Sequence, residues 1–345
     1  MMRLQRATAT RWAVARLVVA GVAVVAGGGM PLIARAATTC MPAGSTGLTA
    51  ALVATSGERI SGTVAATGCD VGIFIGPGDH GVTVKDAHVS GANDHGIFVQ
   101  DADHVTIKDD TISGNGVAPH SIAEDKAIDL VGTSYSAVVD NVVTGNLADG
   151  GIAINDDGPF DPGALPGHPG ALRPAVGDVV VGNQVSGNLI GCGIVLSSYN
   201  PGAGVAHDLV ARNVVSGSPG QFPPVLGAIV LAGQSVIDNT VVGNIVTGSF
   251  IPGIVVHSNT PAERVSGTVI LHNTLIGDDW GRADGPPAMV GIILAAGSTP
   301  PGELADTLVS ANRISHEEYG IYLLNATHTR IVADKYNQAT VPVGP

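Results

Sequence analysis

The sequence predicts an all-β solenoid built from stacked parallel strands, and two observations carry that prediction. From residue 72 onward, a phrase of one small residue, Ile and alternating apolar positions recurs nine times, at steps of 24 to 42 residues. Repeats of about 20–50 residues are typical of solenoids, because one unit cannot bury its own apolar face. The segments between the copies are short, β-branched and punctuated by Gly, which favours strands over helices. The copies begin at Gly72, Gly96, Ala127, Gly151, Gly193, Ala228, Gly253, Gly291 and Gly320.

The first 36 residues are typical of an export signal. Four Arg residues precede an apolar run from Leu17 to Ala26, and Ala34-Arg35-Ala36 fits a small-x-small cleavage site. The run is too short to span a bilayer, and no later stretch resembles a membrane helix. We therefore expect residues 1–36 to be removed and the protein to be secreted, into the extracellular space or a periplasm.

The charge of the chain limits the partners that it suits. The formal charge is −13, and since residues 1–36 hold five Arg and no acid, the remainder is near −18. So acidic a chain argues against nucleic acid as a partner. It argues less strongly against an anionic polysaccharide, unless a metal ion screens the carboxylates.

Residues 37–68 precede the first clear repeat and are expected to form an N-terminal cap. A short helical pattern over residues 48–54 would cover the open end of the solenoid. Cys40 and Cys69 flank this segment and are suited to a disulfide in an oxidising compartment. Cys192 is expected to be a small buried residue.

Residues 69–335 are expected to form the solenoid, with three strands in each rung, and residues 336–345 a loose tail. Between the second and third strands most rungs carry Asn, which tolerates the left-handed backbone that a tight corner needs. Stacked from rung to rung, these amides would form a ladder. The corner residues are Asn141, Asn183, Asn213, Asn239, Asn273 and Asn312.

These short parallel strands with an Asn corner resemble the right-handed parallel β-helix superfamily, which includes pectate lyases and NosD-like repeat proteins. The resemblance covers about residues 69–335 and implies a right-handed parallel β-helix of about nine to ten rungs. That fold carries several chemistries, so the resemblance implies no single activity. In enzymes similar to pectate lyase the active cleft lies on the sheet that corresponds to the Gly-Ile strands.

Insertions into the repeat fall at only two of the three corners. Residues 155–177, 197–207, 257–267 and 295–306 follow the first strand, and residues 116–126, 218–227 and 277–290 precede it. Long loops on a rigid scaffold commonly carry function. These loops would wall a groove whose floor is the outer face of the Gly-Ile strands.

The outward-facing position of that floor is apolar in nearly every copy of the phrase. The column reads Phe74, Phe98, Asp129, Ala153, Val195, Val230, Val255, Ile293 and Tyr322. One interpretation is that loops or a second subunit cover the column. The other is a dry cleft with Asp129 in its floor, an environment that raises the pKa of a carboxyl toward the range of a general acid.

A second column holds Asp residues on four successive rungs, at Asp70, Asp94, Asp125 and Asp149. Carboxylates about 4.8 Å apart repel one another. Asp residues commonly cap turns, which is one interpretation. Alternatively Ca²⁺, held by Asp94, Asp125 and Asp149, or the neighbouring Lys126, would offset the repulsion. The sequence contains no other cofactor motif.

Further candidates lie near Asp129. Asp156 and Asp157 open the longest insertion, and the rung spacing puts Asp156 on the order of 10 Å from Asp129 at the backbone. Carboxyl groups about 6.5–9.5 Å apart are typical of inverting glycosidases. His257 ends its strand on the same face and is a further candidate for catalysis. Four other side chains are candidates for substrate binding. The substrate-binding candidates are Asn155, Tyr199, Trp280 and Arg282.

Two classes of function follow. The first is a carbohydrate-active enzyme, either a hydrolase or transferase that uses Asp129 with Asp156 or Asp157, or a lyase or epimerase. In the latter Lys126 would take a proton beside a uronate carboxylate and Ca²⁺ would stabilise the resulting charge. The second is a non-catalytic secreted protein that binds glycan or protein and oligomerises through its apolar sheet. An aromatic content of 3% leaves few platforms for stacking sugars, which argues against a long polysaccharide cleft and favours a small ligand or a protein partner.

Overall fold

The structure, a computed structural model, describes eleven stretches of the chain, and all of them belong to one compact unit. The described residues are 32–34, 39–119, 126–147, 151–156, 173–189, 191–200, 202–217, 227–249, 251–277, 289–297 and 299–344. Every regular element within them is a β-strand, and none of them belongs to a helix that crosses a membrane.

Sheet 1 contains the repeated phrase and confirms the predicted parallel β-helix. Its twelve strands, in spatial order, are Met41–Pro42, Thr49–Ala54, Val71–Ile75, His95–Gln100, Ile128–Val131, Ile152–Asn155, Ile194–Ser198, Ile229–Gly233, Ile254–Ser258, Val290–Ala296, Tyr319–Leu324 and Val341–Gly344. Only the first pair is antiparallel. Each later strand pairs in parallel with its equivalent one rung away, so strands far apart in sequence become neighbours.

Sheet 2 contains nineteen strands and forms the other long wall of the solenoid. It begins with Leu32–Ala34, Arg59–Ala65 and Thr83–Ser90. Two three-residue strands per rung follow: Thr106–Lys108 and Thr111–Ser113, Ala137–Val139 and Val142–Thr144, Val179–Val181 and Gln184–Ser186, Leu209–Ala211 and Val214–Ser216, Thr240–Val242 and Ile245–Thr247, Val269–Leu271 and Thr274–Ile276, Leu308–Ser310 and Arg313–Ser315, Arg330–Val332 and Lys335–Asn337.

Sheet 3 corrects the prediction of three strands per rung. Its five short strands are Ala175–Val176, Val205–Ala206, Ser235–Ile237, Arg264–Ser266 and Glu303–Ala305. Most of them lie in stretches that the sequence analysis treats as loops after the first strand. The middle rungs therefore have four short strands, because the end of each insertion pairs with the rungs on either side.

The core is a stack of aliphatic side chains inside the solenoid. The Ile of each phrase points inward, and Ile97, Ile152 and Ile254 are completely buried. The middle residue of each short strand in sheet 2, such as Val138 or Ile270, is buried as well. Burial of one such side chain stabilises the fold by roughly 1.5–3 kcal/mol.

The predicted amide ladder is present, but its backbone geometry differs from the prediction. The left-handed residue is the one before each Asn, for example Asp140 (φ 55°) or Arg212 (φ 54°). The Asn residue itself points inward, and its Nδ2 donates to the Oδ1 of the next rung at 2.9–3.0 Å. The ladder consists of Asn141, Asn183, Asn213, Asn244, Asn273 and Asn312.

The prediction that Asn239 belongs to this ladder is wrong. It lies at the neighbouring corner, between sheets 3 and 2, where its Oδ1 accepts the backbone N–H of Asp208 at 2.8 Å. The position in the main ladder belongs to Asn244. Both Asn residues follow a left-handed residue, Asp238 or Gly243, so the two corners look alike in sequence.

The two segments that flank the solenoid, the N-terminal cap and the C-terminal tail, differ from the prediction. Residues 49–54 form a strand rather than a helix, because the open edge of Val71–Ile75 offers backbone groups that only another strand can pair with. The expected loose tail contains the strand Val341–Gly344 and most of Lys335–Asn337. The disulfide between Cys40 and Cys69 is present, and Cys192 is buried, as expected.

Candidate active site on sheet 1

The outward column of sheet 1 has the predicted register. Phe74, Phe98, Asp129 and Ala153 are direct neighbours on successive rungs, and the column continues to Tyr322. From Phe74 to Val255 every member is buried within the single chain. The interpretation that the chain covers its own column is therefore confirmed over these rungs, and an exposed apolar stripe for a second subunit is not present there.

Asp129 lies between two apolar clusters on this face. Phe74 and Phe98 belong to one cluster, and Ala153 and Val195 to the other. The Asp129 side chain is only 7% exposed. Its charge is thus placed in surroundings of low polarity, where contacts with other polar groups have a large effect.

A chain of polar contacts crosses three rungs from Asp129. Its Oδ1 accepts a hydrogen bond from Asn155 Nδ2 at 2.9 Å. The Oδ1 of Asn155 in turn accepts from the hydroxyl of Ser197. Asn155 therefore contacts the predicted acid directly and orients one of its oxygens.

Two further ionisable residues lie near Asp129. His95 is on the preceding rung, and Lys126 is on the same rung as Asp129. His95 Nδ1 lies 3.8 Å from Asp129 Oδ2, and its ring stacks on Phe98 with centroids 4.8 Å apart. Nδ1 also accepts the backbone N–H of Lys126 at 3.2 Å, so the neutral imidazole carries its proton on Nε2. His95 is 6% exposed and Lys126 is 4% exposed.

Sequence reasoning missed His95. The position just before the small residue of the phrase is Val71, Cys192 or Val290 in other copies, and it is a basic residue only at His95 and Lys126. Comparing this column, as well as the column of Asp129, would have found the residue. Three buried ionisable groups on two adjacent rungs are suited to proton transfer, since functional sites concentrate such groups.

Asp156 does not join this cluster, although it follows Asn155 directly. It is completely buried and accepts hydrogen bonds from Ser198 Oγ at 2.6 Å and from Tyr199 N at 2.8 Å. Asn200 donates to it as well. Burial raises the pKa of Asp156, and these donors partly offset that effect. The carboxyl holds the turn at residues 198–200, so the structure does not pair it with Asp129.

His257 lies on the predicted face but far from Asp129. It occupies the column of Asn155, three rungs beyond Asn155 and four rungs beyond Asp129, which is roughly 19 Å along the solenoid. The side chain is 7% exposed, and burial lowers the pKa of His257 to about 4, so it is neutral at physiological pH. Tyr199 is partly buried, and its backbone contacts Asp156.

The acidic column is described only in part. Asp70 Oδ2 accepts the backbone N–H and the hydroxyl of Thr49, at 2.8 and 2.7 Å, which is a contact with the preceding rung. Asp94 is buried. Within the described ranges no group of three or more His, Cys, Asp or Glu is arranged to hold a metal ion. Five predicted residues lie outside the described residues: Asp125, Asp149, Asp157, Trp280 and Arg282. The Ca²⁺ site therefore stays a prediction.

Comparisons with known proteins agree with this architecture. Residues 47–161 and 71–276 match the family described as the right handed beta helix region. The A-module of the mannuronan C-5 epimerase AlgE4 from Azotobacter vinelandii superposes with a TM-score of 0.56 at 15% identity, covering 89% of this chain and 85% of that one. The surface protein and adhesin PfbA of Streptococcus pneumoniae gives 0.62 at 12% identity, covering 86% and 90%. These likenesses establish the fold alone, and no curated protein matches the sequence.

Proposed function

Because this chain belongs to the right-handed β-helix family, we propose that it is a carbohydrate-active enzyme that works on the outer face of sheet 1. The observation that carries the proposal is the contact of the buried Asp129, the one charge in an apolar column, with His95 and Asn155; the backbone N–H of the buried Lys126 donates in turn to His95. An epimerase of mannuronan among the proteins that share the fold supports a glycan as substrate.

The reaction that suits the described residues best is proton transfer at the carbon beside a uronate carboxylate, leading to elimination or epimerisation. Asp129 would accept that proton, and the protonated form of His95 would return one, to the departing glycosidic oxygen in an elimination or to the opposite face of the carbon in an epimerisation. The cation of Lys126 would stabilise the enolate-like charge and attract an anionic sugar to this acidic protein. Among the described residues Asp156 cannot supply the second carboxylate of a hydrolase, because it holds a turn.

The test is turnover of a panel of neutral and uronate-containing glycans by the wild type and by Asp129→Asn. We expect the ultraviolet absorbance of an unsaturated uronate, or a changed sugar configuration by NMR, and a loss of about 10²–10⁴-fold in the variant. The exposed Asp306→Asn is the matched control and keeps full activity. Wild-type activity in Asp129→Asn would exclude Asp129 from the reaction, and reducing ends without unsaturation would indicate a hydrolase. Inhibition by EDTA would support the Ca²⁺ prediction.

A second candidate function is glycan or protein binding without catalysis. It is favoured by the low exposure of Asp129, His95 and Lys126, since a substrate has to reach these groups. The adhesin that shares the fold supports it as well. Binding of a glycan without turnover, unchanged in Asp129→Asn, would establish this function instead. In either case we propose that the protein is secreted, which the Cys40–Cys69 disulfide supports. Sequencing the N-terminus of the exported protein tests this, and an N-terminus far from residue 37 would contradict it.

A further inference from the structure

The outer face of sheet 2 is largely aliphatic over six successive rungs. In the first short strand of each rung the middle residue is buried and the residues on either side point outward. None of the twelve outward residues is charged, and ten are aliphatic. The ten are Ala137, Val139, Val179, Val181, Leu209, Ala211, Val242, Val269, Leu271 and Leu308.

The second short strands extend this surface with side chains that are clearly exposed. Val214 is 39% exposed, Ile245 is 42% exposed and Ile276 is 39% exposed. Val214 and Ile245 are direct neighbours on adjacent rungs. We name the six residues Val181, Val214, Val242, Ile245, Leu271 and Ile276 the aliphatic patch. Exposed apolar surface of this extent is typical of a protein contact.

The two ends of the same face carry opposite charges. At the N-terminal end Asp86, Asp109 and Asp140 follow one another on successive corners, with side chains 68%, 37% and 52% exposed. Lys85 and Lys108 lie between them and neutralise part of that charge. At the C-terminal end the outward positions are Arg313, Arg330 and Lys335.

We propose that a second copy of this chain packs antiparallel on the outer face of sheet 2, centred on the aliphatic patch. A twofold axis there brings the basic end of one copy onto the acidic end of the other. The central strands and corners of the face, at residues 179–186, 209–216, 240–247 and 269–276, carry no carboxylate and one exposed charge, Arg212, so two acidic chains can approach there without placing carboxylates against each other. Nine rungs span roughly 38 Å, and two short strands roughly 20 Å, so the face covers on the order of 800 Å² per copy, which a standard dimer interface needs.

Light scattering after gel filtration tests this proposal on the exported protein. We expect a dimer for the wild type and a monomer for Ile245→Glu, whose exposed position tolerates the change, with thermal unfolding as the check on folding. Val117→Glu, at an equally exposed aliphatic residue outside the face, is the control and stays dimeric. Arg330→Glu should weaken the dimer about tenfold or more, because it places like charges together at the contact.

Four results would overturn the proposal. A wild type that is monomeric at every concentration tested would exclude the interface. A dimer that survives Ile245→Glu would place the contact elsewhere. A dimer indifferent to Arg330→Glu would exclude the antiparallel arrangement. A monomer that binds an insoluble glycan through Ile245 would assign the patch to that ligand instead.

Discussion

At the scale of single residues, Asn155 and Asp156 show how the direction of a side chain decides its role. The two are adjacent in sequence, yet Asn155 contacts Asp129 while Asp156 turns away and collects donors from residues 198–200. Alternation along the strand explains the difference, since successive side chains leave on opposite faces. A search for acid pairs by sequence distance alone therefore selects Asp156, whereas the contact belongs to its neighbour.

Replacing Asp156 with Ala is expected to lower stability rather than to remove chemistry specifically. The change leaves the backbone N–H of Tyr199 and the hydroxyl of Ser198 without their acceptor, which costs about 1–3 kcal/mol for a buried group. Thermal unfolding of Asp156→Ala should shift downward by a few degrees, since about 1 kcal/mol corresponds to about 2 °C in a chain of this size. Asp129→Asn is the comparison and should unfold within about a degree of the wild type. Unchanged unfolding of Asp156→Ala would show that the turn does not depend on this carboxyl.

At the scale of the structural element, the amide ladder begins and ends in carboxyl groups. Asp110 Oδ1 accepts the backbone N–H of Ala87 at 2.6 Å, and its own N–H donates to Asn141 Oδ1 at 2.9 Å. Its Oδ2 is buried without a hydrogen-bond partner. Burial raises the pKa of Asp110 to about 7, and the nearby Asp86 and Asp109 add to the effect. At the other end Asp334 accepts from Asn312, and burial raises its pKa too.

The ladder should make stability fall as the pH rises. A carboxyl with a raised pKa in the folded state binds its proton more tightly there than in the unfolded chain. Its stabilisation is therefore complete below pH 3.8 and is lost as the pH rises through about 7 for Asp110. Asp110→Asn continues the ladder with the residue that the later rungs carry, so it should raise the unfolding temperature above pH 7 and flatten its pH dependence. Asp306→Asn, at an exposed carboxyl, should leave both unchanged. An identical pH profile for Asp110→Asn and the wild type would contradict this account.

At the scale of the whole molecule, the sequence predicted most of the fold and part of the site. The repeat placed Phe74, Phe98 and Asp129 in one column because parallel rungs keep their register over long insertions. It did not reveal sheet 3, whose strands of two or three residues are too short for a periodic signal. It also misjudged Thr49–Ala54, where small apolar residues fit a helix and a strand equally well and tertiary pairing decides.

The sequence predicts site residues whose position follows from strand register, but it does not predict side-chain contacts between different columns. Asp129 stands out as the one charge in an apolar column, which a sequence shows directly. His95 belongs to a different column, and its ring nevertheless stacks on Phe98 with Nδ1 3.8 Å from Asp129 Oδ2, a contact that the column alone does not predict. The exposed aliphatic face was likewise expected on sheet 1, but the chain buries that column itself and leaves Val214 and Ile245 of sheet 2 exposed.

The most direct test of the central claim is a measurement of solvent deuterium in the sugar. A uronate-containing glycan is incubated in heavy water with the wild type, with Asp129→Asn and with His95→Gln, and the products are examined by NMR and mass spectrometry. The buried cluster of Asp129, His95 and Lys126 predicts that the hydrogen beside the carboxylate is exchanged or lost with the wild type, and at least about a hundredfold more slowly with either variant. Turnover that leaves this hydrogen in place, or equal exchange by all three proteins, would contradict the assignment of proton transfer to this face.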